Sequence, residues 1–441
     1  MKRIRQILLF LLLVIGIAIA FNYKKLNIIA GYSAKSMASS VFLADRDFHF
    51  SDTTDTNFPP VNIADNTMNS EEKSITASVF GLLKRKAVYR EGLGSVLVID
   101  ENSTAETAVP KRTKVHDSIY FPFGNKMHKD TIFSAIDYSI LNKAIDSIFQ
   151  PKYKTRATVV VYKDKIIAER YADGFNENSL LLGWSMTKSV LGTLYGVMQH
   201  QGKLHVNDKA PVKAWQNDER KDITLNNLLQ MNSGLAWNED YKSISDVTKM
   251  LYLEEDMSKS QIDKPLEGKP NESWKYSSGI SNLLSGIVRD KFATHQEYLD
   301  YWYTNLIDKI GMNSMVVETD LVGNYIASSY SWATARDWSK LGLLYLFNGN
   351  WNGEQIFGTD WVAYATAPTP TSNGEYGATI WLNNEGQLPD VPKNMYHFRG
   401  YQGQYVIVLP EQDMVIVRMG LVKDPVAINK YISSVISAIK N

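Results

Sequence analysis

Trp184-Ser185-Met186-Thr187-Lys188 separates two periodicities, and its reading decides the fold. Upstream, Ala157 to Tyr162 is rich in β-formers, Lys163-Asp164-Lys165 makes a turn, and Ile166 to Tyr171 completes a hairpin. Downstream, Met186, Val190, Leu191, Leu194, Val197 and Met198 keep helical spacing to about Gln201, with polar residues between them. Ser185 therefore opens an amphipathic helix that follows a strand hairpin.

A serine hydroxyl is a weak nucleophile and needs a nearby base; lysine serves when burial or positive neighbours lower its pKa. Residues three apart share a helix face, so Lys188 reaches the Ser185 hydroxyl, and the free N–H groups of the helix start can stabilise an oxyanion. The motif alone says little, since about three Ser-x-x-Lys matches arise by chance in such a chain. Three occur. Ser70 with Lys73 lies in an acidic polar stretch and Ser437 with Lys440 ends the final helical pattern, so only Ser185 has a nucleophile's setting. The plainer reading of Ser185 is a helix N-cap.

Working outward, residues 202–310 hold helix-period stretches, such as Leu225 to Met231 and Ile280 to Arg289, joined by polar loops. They read as a helical insert. Gln404 to Leu409 and Met414 to Met419 flank the turn Pro410-Glu411-Gln412-Asp413, and Val426 to Lys440 is helical again. Strands at both ends of a helical middle predict one α+β domain over 126–441, an antiparallel sheet flanked by helices. Residues 21–125 read as a loosely built extension, polar around Ser51 to Ser74, whose strands Ala87 to Arg90 and Ser95 to Ile99 could add to the main sheet.

The first residues, Met1-Lys2-Arg3-Ile4-Arg5, precede an apolar run from Ile7 to Phe21, with a small-x-small site at Ala18-Ile19-Ala20. We expect residues 1–20 to be a signal peptide or an N-terminal anchor, and the protein to be exported, periplasmic or held at the inner membrane facing the periplasm. Membrane anchoring would run through residues 7–21.

Lys plus Arg and Asp plus Glu are equal at 47 each, so no bulk field draws in nucleic acid. The absence of Cys excludes disulfides, Cys-ligated zinc and a thiol nucleophile. The seven His show no metal-ligand spacing, and Gly192 and Gly196 fall inside the helix, where they permit close packing rather than cradle a phosphate. No metal and no cofactor is expected. His397 either lines a cleft or ends a strand, while Glu239 and Asp240 read as a solvated loop that could rim the site.

Three more segments follow in order: Ile223-Thr224-Leu225 through Asn232-Ser233-Gly234-Leu235, then Trp274-Lys275-Tyr276-Ser277-Ser278-Gly279, then Gly400-Tyr401-Gln402-Gly403-Gln404. With Ser185 and Lys188 they resemble the serine β-lactamase and penicillin-binding protein superfamily, its class C-like branch, in the flavour of esterases and 6-aminohexanoate-dimer hydrolases. The likeness runs from about Thr155 to the C-terminus.

That resemblance implies that Tyr276 shares proton transfer with Lys188 and protonates the leaving group, whereas its plainer reading is a packed aromatic. It also implies an oxyanion hole from the N–H groups of Ser185 and Gln404, on a strand where Gln402 and Tyr401 meet substrate. Gly403 would admit substrate close to that strand, or be a β-bulge glycine. Two positions depart from the family pattern: Ser278 stands for an Asn that would contact substrate, and Tyr401 for a Lys or His, leaving Arg399 as the nearby cation. The expectation is a serine hydrolase of small esters or amides. Peptidoglycan D,D-carboxypeptidase or β-lactamase activity, and a non-catalytic binder of the same fold, stay as alternatives.

Overall fold

The computed structural model describes residues 2–100, 105–116, 118–128 and 132–440, without the side chains of residues 2, 15 and 18–21. The small-x-small site at 18–20 therefore lies outside the described side chains. Two compact units emerge.

Unit 1 takes residues 1–90, 95–106 and 238–255. Its helix α1 runs from Lys2 to Ala38 without a break, exposed at Ile4 to Val14 and buried from Ile28 onward. Strands β1 (Ala64–Asn69), β2 (Ser74–Val79), β3 (Leu83–Arg90) and β4 (Gly94–Val98) form a sheet in that order. Ile75, Ala77, Val79 and Ala87 turn inward from it. The extension is thus built around its own core rather than loosely, and its strands do not join the main sheet. Ser51 to Ser74 is polar yet structured: Ser51 and Thr56 are buried, and β1 is mostly exposed while paired along its length with β2.

The helix Asp246–Leu253 returns to unit 1 from the middle of the chain and sets Tyr252 against Tyr32, ring centroids 5.3 Å apart. The expected insert is therefore divided between the units, and Glu239 and Asp240 fall in unit 1. The boundary expected at 125 moves too. Arg112 donates to Asp308 and to the carbonyls of Asn313 and Met315, which ties the segment from 107 onward into unit 2.

Unit 2 centres on a six-stranded antiparallel sheet from both ends of the chain. Its strands are β5 (Thr155–Tyr162), β6 (Lys165–Tyr171), β7 (Trp381–Leu382), β8 (Tyr396–Gly400), β9 (Gln404–Leu409) and β10 (Met414–Gly420), in the order β7-β8-β9-β10-β5-β6. β10 pairs with β5 from Met414↔Tyr162 to Gly420↔Thr155. Both faces are covered, which is why β5, β9 and β10 read as nearly continuous apolar runs. Helices α2 (Tyr138–Ile148) and α6 (Pro425–Ile436) bury Val160, Ile407 and Ile416 on one face.

The other face packs Val159, Val406 and Val417 against α3 (Met186–His200), α4 (Ser278–Arg289), α5 (Ala335–Leu346) and their loops. Within that layer α3 is buried on almost every side, which the amphipathic expectation missed. Its polar residues are satisfied internally: Ser189 Oγ donates to the Thr379 carbonyl and Thr193 Oγ1 to the Ser189 carbonyl. The glycines permit the fit, since a Cβ at Gly192 would meet Thr379 and one at Gly196 the Trp361 ring. Among the described residues, no helix is long and apolar enough to cross a membrane.

Candidate active site

Ser185 stands at the N-cap position of α3 without a capping side-chain hydrogen bond and is partly exposed, whereas the rest of that turn is buried. Trp184, just before it, has φ 48°, a left-handed conformation that costs a bulky residue on the order of 1–3 kcal/mol. Packing holds it there. Tyr401 meets the indole edge to face at 5.4 Å and Tyr330 lies at 5.6 Å. Thr187 Oγ1 donates to the Trp184 carbonyl at 2.7 Å, and Gly183 N–H donates to Ser331. The backbone thus turns sharply at Trp184 and presents the next side chain.

Lys188, 1% exposed, carries its Nζ 3.1 Å from Ser185 Oγ, 3.0 Å from Ser278 Oγ and 2.9 Å from the Ser328 carbonyl. That carbonyl is aimed by Asn282, one turn beyond Ser278 on α4, whose Oδ1 accepts the Ser328 N–H. Ser278 is buried and its hydroxyl accepts from the lysine, so it is placed to position Lys188.

Tyr276 presents its ring to the same amine, 4.7 Å from Nζ to the centroid, within an aromatic wall of Trp274, Tyr376 and Trp381. Its segment is pinned from both sides. Lys275 N–H donates to the Met231 carbonyl and Asn271 N–H to that of Asn232. The buried Asn232 and Asn227 amides both donate to Asn271 Oδ1. Ser277 caps α4 by accepting the Ile280 N–H while donating to Gln261. The Asn232-Ser233-Gly234 segment therefore supports the loop leading to Tyr276.

The third motif closes the site from the sheet. A Cβ at Gly400 would lie 2.1 Å from the Gly183 carbonyl, so only glycine lets the end of β8 touch the nucleophile segment. Tyr401-Gln402-Gly403 then forms a tight turn with Gln402 at φ 61° and Gly403 at φ 84°. Beneath it Arg418, 1% exposed, donates to the carbonyls of Gly403, Val422 and Tyr153 and to Thr155 Oγ1. Burial lowers its pKa to about 10.

A Cβ at Gly403 would collide with the Val422 carbonyl and this guanidinium. The glycine thus serves the turn's own packing, and no approach of a ligand is needed to explain it. Gln404 spends its side chain on Tyr401 and Gly420 and stands opposite Gly400 in the strand pairing.

Arg399 lies on β8 with its guanidinium 3.5 Å above the centre of the Trp381 ring, which is itself 5.3 Å from Tyr276. Burial pushes the Tyr401 phenol up, so it stays a neutral hydroxyl. His397 is buried rather than at a cleft or surface; burial, then the nearby Arg399, hold its pKa well below 6.5, and its Nδ1 finds no partner. Among the described residues, no group of three or more His, Asp or Glu could hold a metal ion.

Sequence reasoning missed Arg418 and Ser328. The signal for Arg418 was a lone charge in Met414-Val415-Ile416-Val417-Arg418-Met419; Ser328 acts through its carbonyl, which leaves no signal.

Comparison with known proteins places the fold. The beta-lactamase family profile matches residues 145–424. A 6-aminohexanoate-dimer hydrolase of Paenarthrobacter ureafaciens is 22% identical over 305 residues, 62% of this chain and 74% of that protein. A class C beta-lactamase superposes with a TM-score of 0.54 at 15% identity, covering 70% of this chain and 99% of the other. A family VIII carboxylesterase gives 0.53 at 12%, covering 68% and 97%. At these identities the two structures speak for the fold.

Proposed function

The chain belongs to the beta-lactamase family, and from that membership we infer that it is a serine hydrolase forming an acyl-enzyme on Ser185 with small esters or amides. The observation that carries this reading is the 3.1 Å contact between Lys188 Nζ and Ser185 Oγ at the start of a buried helix. Ser185 Oγ attacks the acyl carbon and its proton passes to Lys188; burial in general favours the neutral amine that a base must be. Charge developing on the acyl oxygen meets the N–H groups of Ser185 and Gln404.

Tyr276 O–H then protonates the departing alcohol or amine as its bond to the acyl carbon breaks, and recovers a proton from Lys188. Water attacks the acyl-enzyme, gives a proton to the same pair, and releases the acid with the Ser185 hydroxyl restored. The relative named a 6-aminohexanoate-dimer hydrolase supports the hydrolase reading. Neutral Tyr401 supports substrates with no obligatory carboxylate there.

A second reading, a hydrolase that requires a carboxylate, rests on Arg399, whose stacking on Trp381 sets a cation beside the aromatic wall. Intact-protein mass spectrometry tests the main proposal. A fluorophosphonate is expected to add once to the wild type and not to Ser185→Ala, with penicillin adding little. No adduct from either reagent overturns acyl chemistry and favours a binding protein.

A further inference from the structure

Unit 1 clusters large apolar side chains in open solvent at two places, while Ile63, Met68 and Ile244 are exposed singly elsewhere. One is α1, where Ile7, Leu8, Leu9, Phe10, Leu11, Leu12, Leu13 and Val14 are each 44–64% exposed. Successive helix positions turn by about 100°, so eight in a row cover every face. A protein groove would bury one face and leave the others wet, whereas lipid covers all of them. Charge points the same way. The first 44 residues hold six basic side chains and no acidic one, with Lys24 and Lys25 exposed just past the apolar run.

The other place is the β2–β3 turn. Phe80 and Leu82 are each 69% exposed, either side of Gly81. The Leu82 N–H donates to the Val79 carbonyl, and Phe80 and Gly81 have φ 55° and 66°. Such a turn normally places Asn or Asp where Phe80 stands, because a bulky residue is strained there. Here the strained position holds an aromatic ring that stands largely in solvent. Lys84 stands exposed beside the tip.

Both places lie at one end of the unit. Tyr89 on β3 faces Phe42 at 6.4 Å, while Arg85, closer to the turn, donates to Asn27 at 2.8 Å. Moving along β3 toward the turn is therefore moving along the helix toward its N-terminus. The run Ile7 to Phe21 is 15 residues, about 22 Å of helix, against roughly 30 Å of bilayer hydrocarbon. A run this short keeps the residues that follow it close to the headgroups, at the depth where Tyr23, Lys24, Lys25 and the hairpin tip belong.

We propose that unit 1 is a membrane seat: the apolar half of α1 stays on the mature protein and inserts into an anionic lipid bilayer, while Phe80 and Leu82 dip into its interface. The occupant is lipid, and the hairpin adds a second contact that fixes how the unit stands on the surface. Nothing in this depends on the chemistry at Ser185.

The absence of cysteine makes the test direct. Full-length Phe80→Cys and Glu71→Cys proteins, the latter in the exposed β1–β2 turn at the opposite end of the strands, are labelled with an environment-sensitive fluorophore. Each is reconstituted in phosphatidylcholine vesicles containing phosphatidylglycerol. The label at 80 is expected to shift to the blue and to be quenched several-fold more by nitroxide-bearing lipid than the label at 71. Equal, water-like behaviour of the two labels overturns the hairpin contact and leaves the tip to a protein partner. Intact mass of the membrane-extracted protein is expected to include residues 2–21; a chain starting after Ala20 overturns the anchor.

Discussion

Arg418 Nη1 donates to the Gly403 carbonyl at 2.8 Å, so a guanidinium almost sealed from solvent supports the turn that carries the proposed oxyanion donor. Two successive left-handed residues, Gln402 and Gly403, gain their stability from below. Arg418→Met leaves several carbonyls without a donor and is expected to destabilise the fold by about 3 kcal/mol. It should also lower kcat by about 10²-fold with little change in KM, as loss of an oxyanion donor does. Arg418→Lys, with fewer donors, should recover melting temperature more than kcat. Thermal denaturation and steady-state kinetics together separate the two effects.

Ser278 offers a sharper test of how Lys188 is aimed. Its hydroxyl is 3.0 Å from Nζ and buried, so Ser278→Ala removes one of the fixed neighbours of the amine without opening the cleft. An about tenfold fall in kcat is expected, equivalent to about 1.4 kcal/mol, the scale of one hydrogen bond. Ser185→Ala should abolish turnover. A Ser278→Ala protein whose KM rises while kcat holds would return Ser278 to a substrate contact.

Arg399 decides between the neutral and the carboxylate-bearing substrate. With its guanidinium stacked on Trp381, its N–H edge is the available recognition surface. Arg399→Ala is expected to leave kcat/KM for a neutral ester within about twofold and to lower it about tenfold for an ester bearing a carboxylate, if that second reading holds. Equal effects on both esters would assign Arg399 to packing alone.

Two buried groups outside the reaction give the stability profile opposite slopes. Burial, above all, raises the Asp320 pKa to about 7. The fold holds its proton where the unfolded chain has lost it, so this contribution is full at low pH and is lost as pH rises from about 4 through 7. His397 behaves in reverse: its depressed pKa contributes stability above about 6.5 that is lost on acidification. Asp320→Asn should flatten the fall in melting temperature between about pH 4 and pH 7. His397→Phe should flatten the fall on the acid side.

Legibility followed locality. The hairpin of β5 and β6, the helix after Ser185 and the strands after Gln404 were readable because each periodicity is complete within a few turns. The same holds for Ser185 with Lys188, one helical turn apart. What stayed hidden depends on residues far apart in the chain. The contact of Ser278 with Lys188 left no sign because its spacing from Tyr276 says nothing about a lysine ninety positions earlier. α3 read as amphipathic because polar residues satisfied by Thr379 and Tyr345 look like surface ones. Unit 1 looked loose because its sheet is small and exposed along β1.

The return of residues 238–255 to unit 1 bears on how the gene can be cut. A clone beginning at residue 107 would discard α1 and its sheet yet still encode Asp246–Leu253, with Val247, Met250, Leu251 and Tyr252 bared. Such a product would be sticky for a reason unrelated to its catalytic centre. A workable truncation also needs that strip replaced by a short polar bridge.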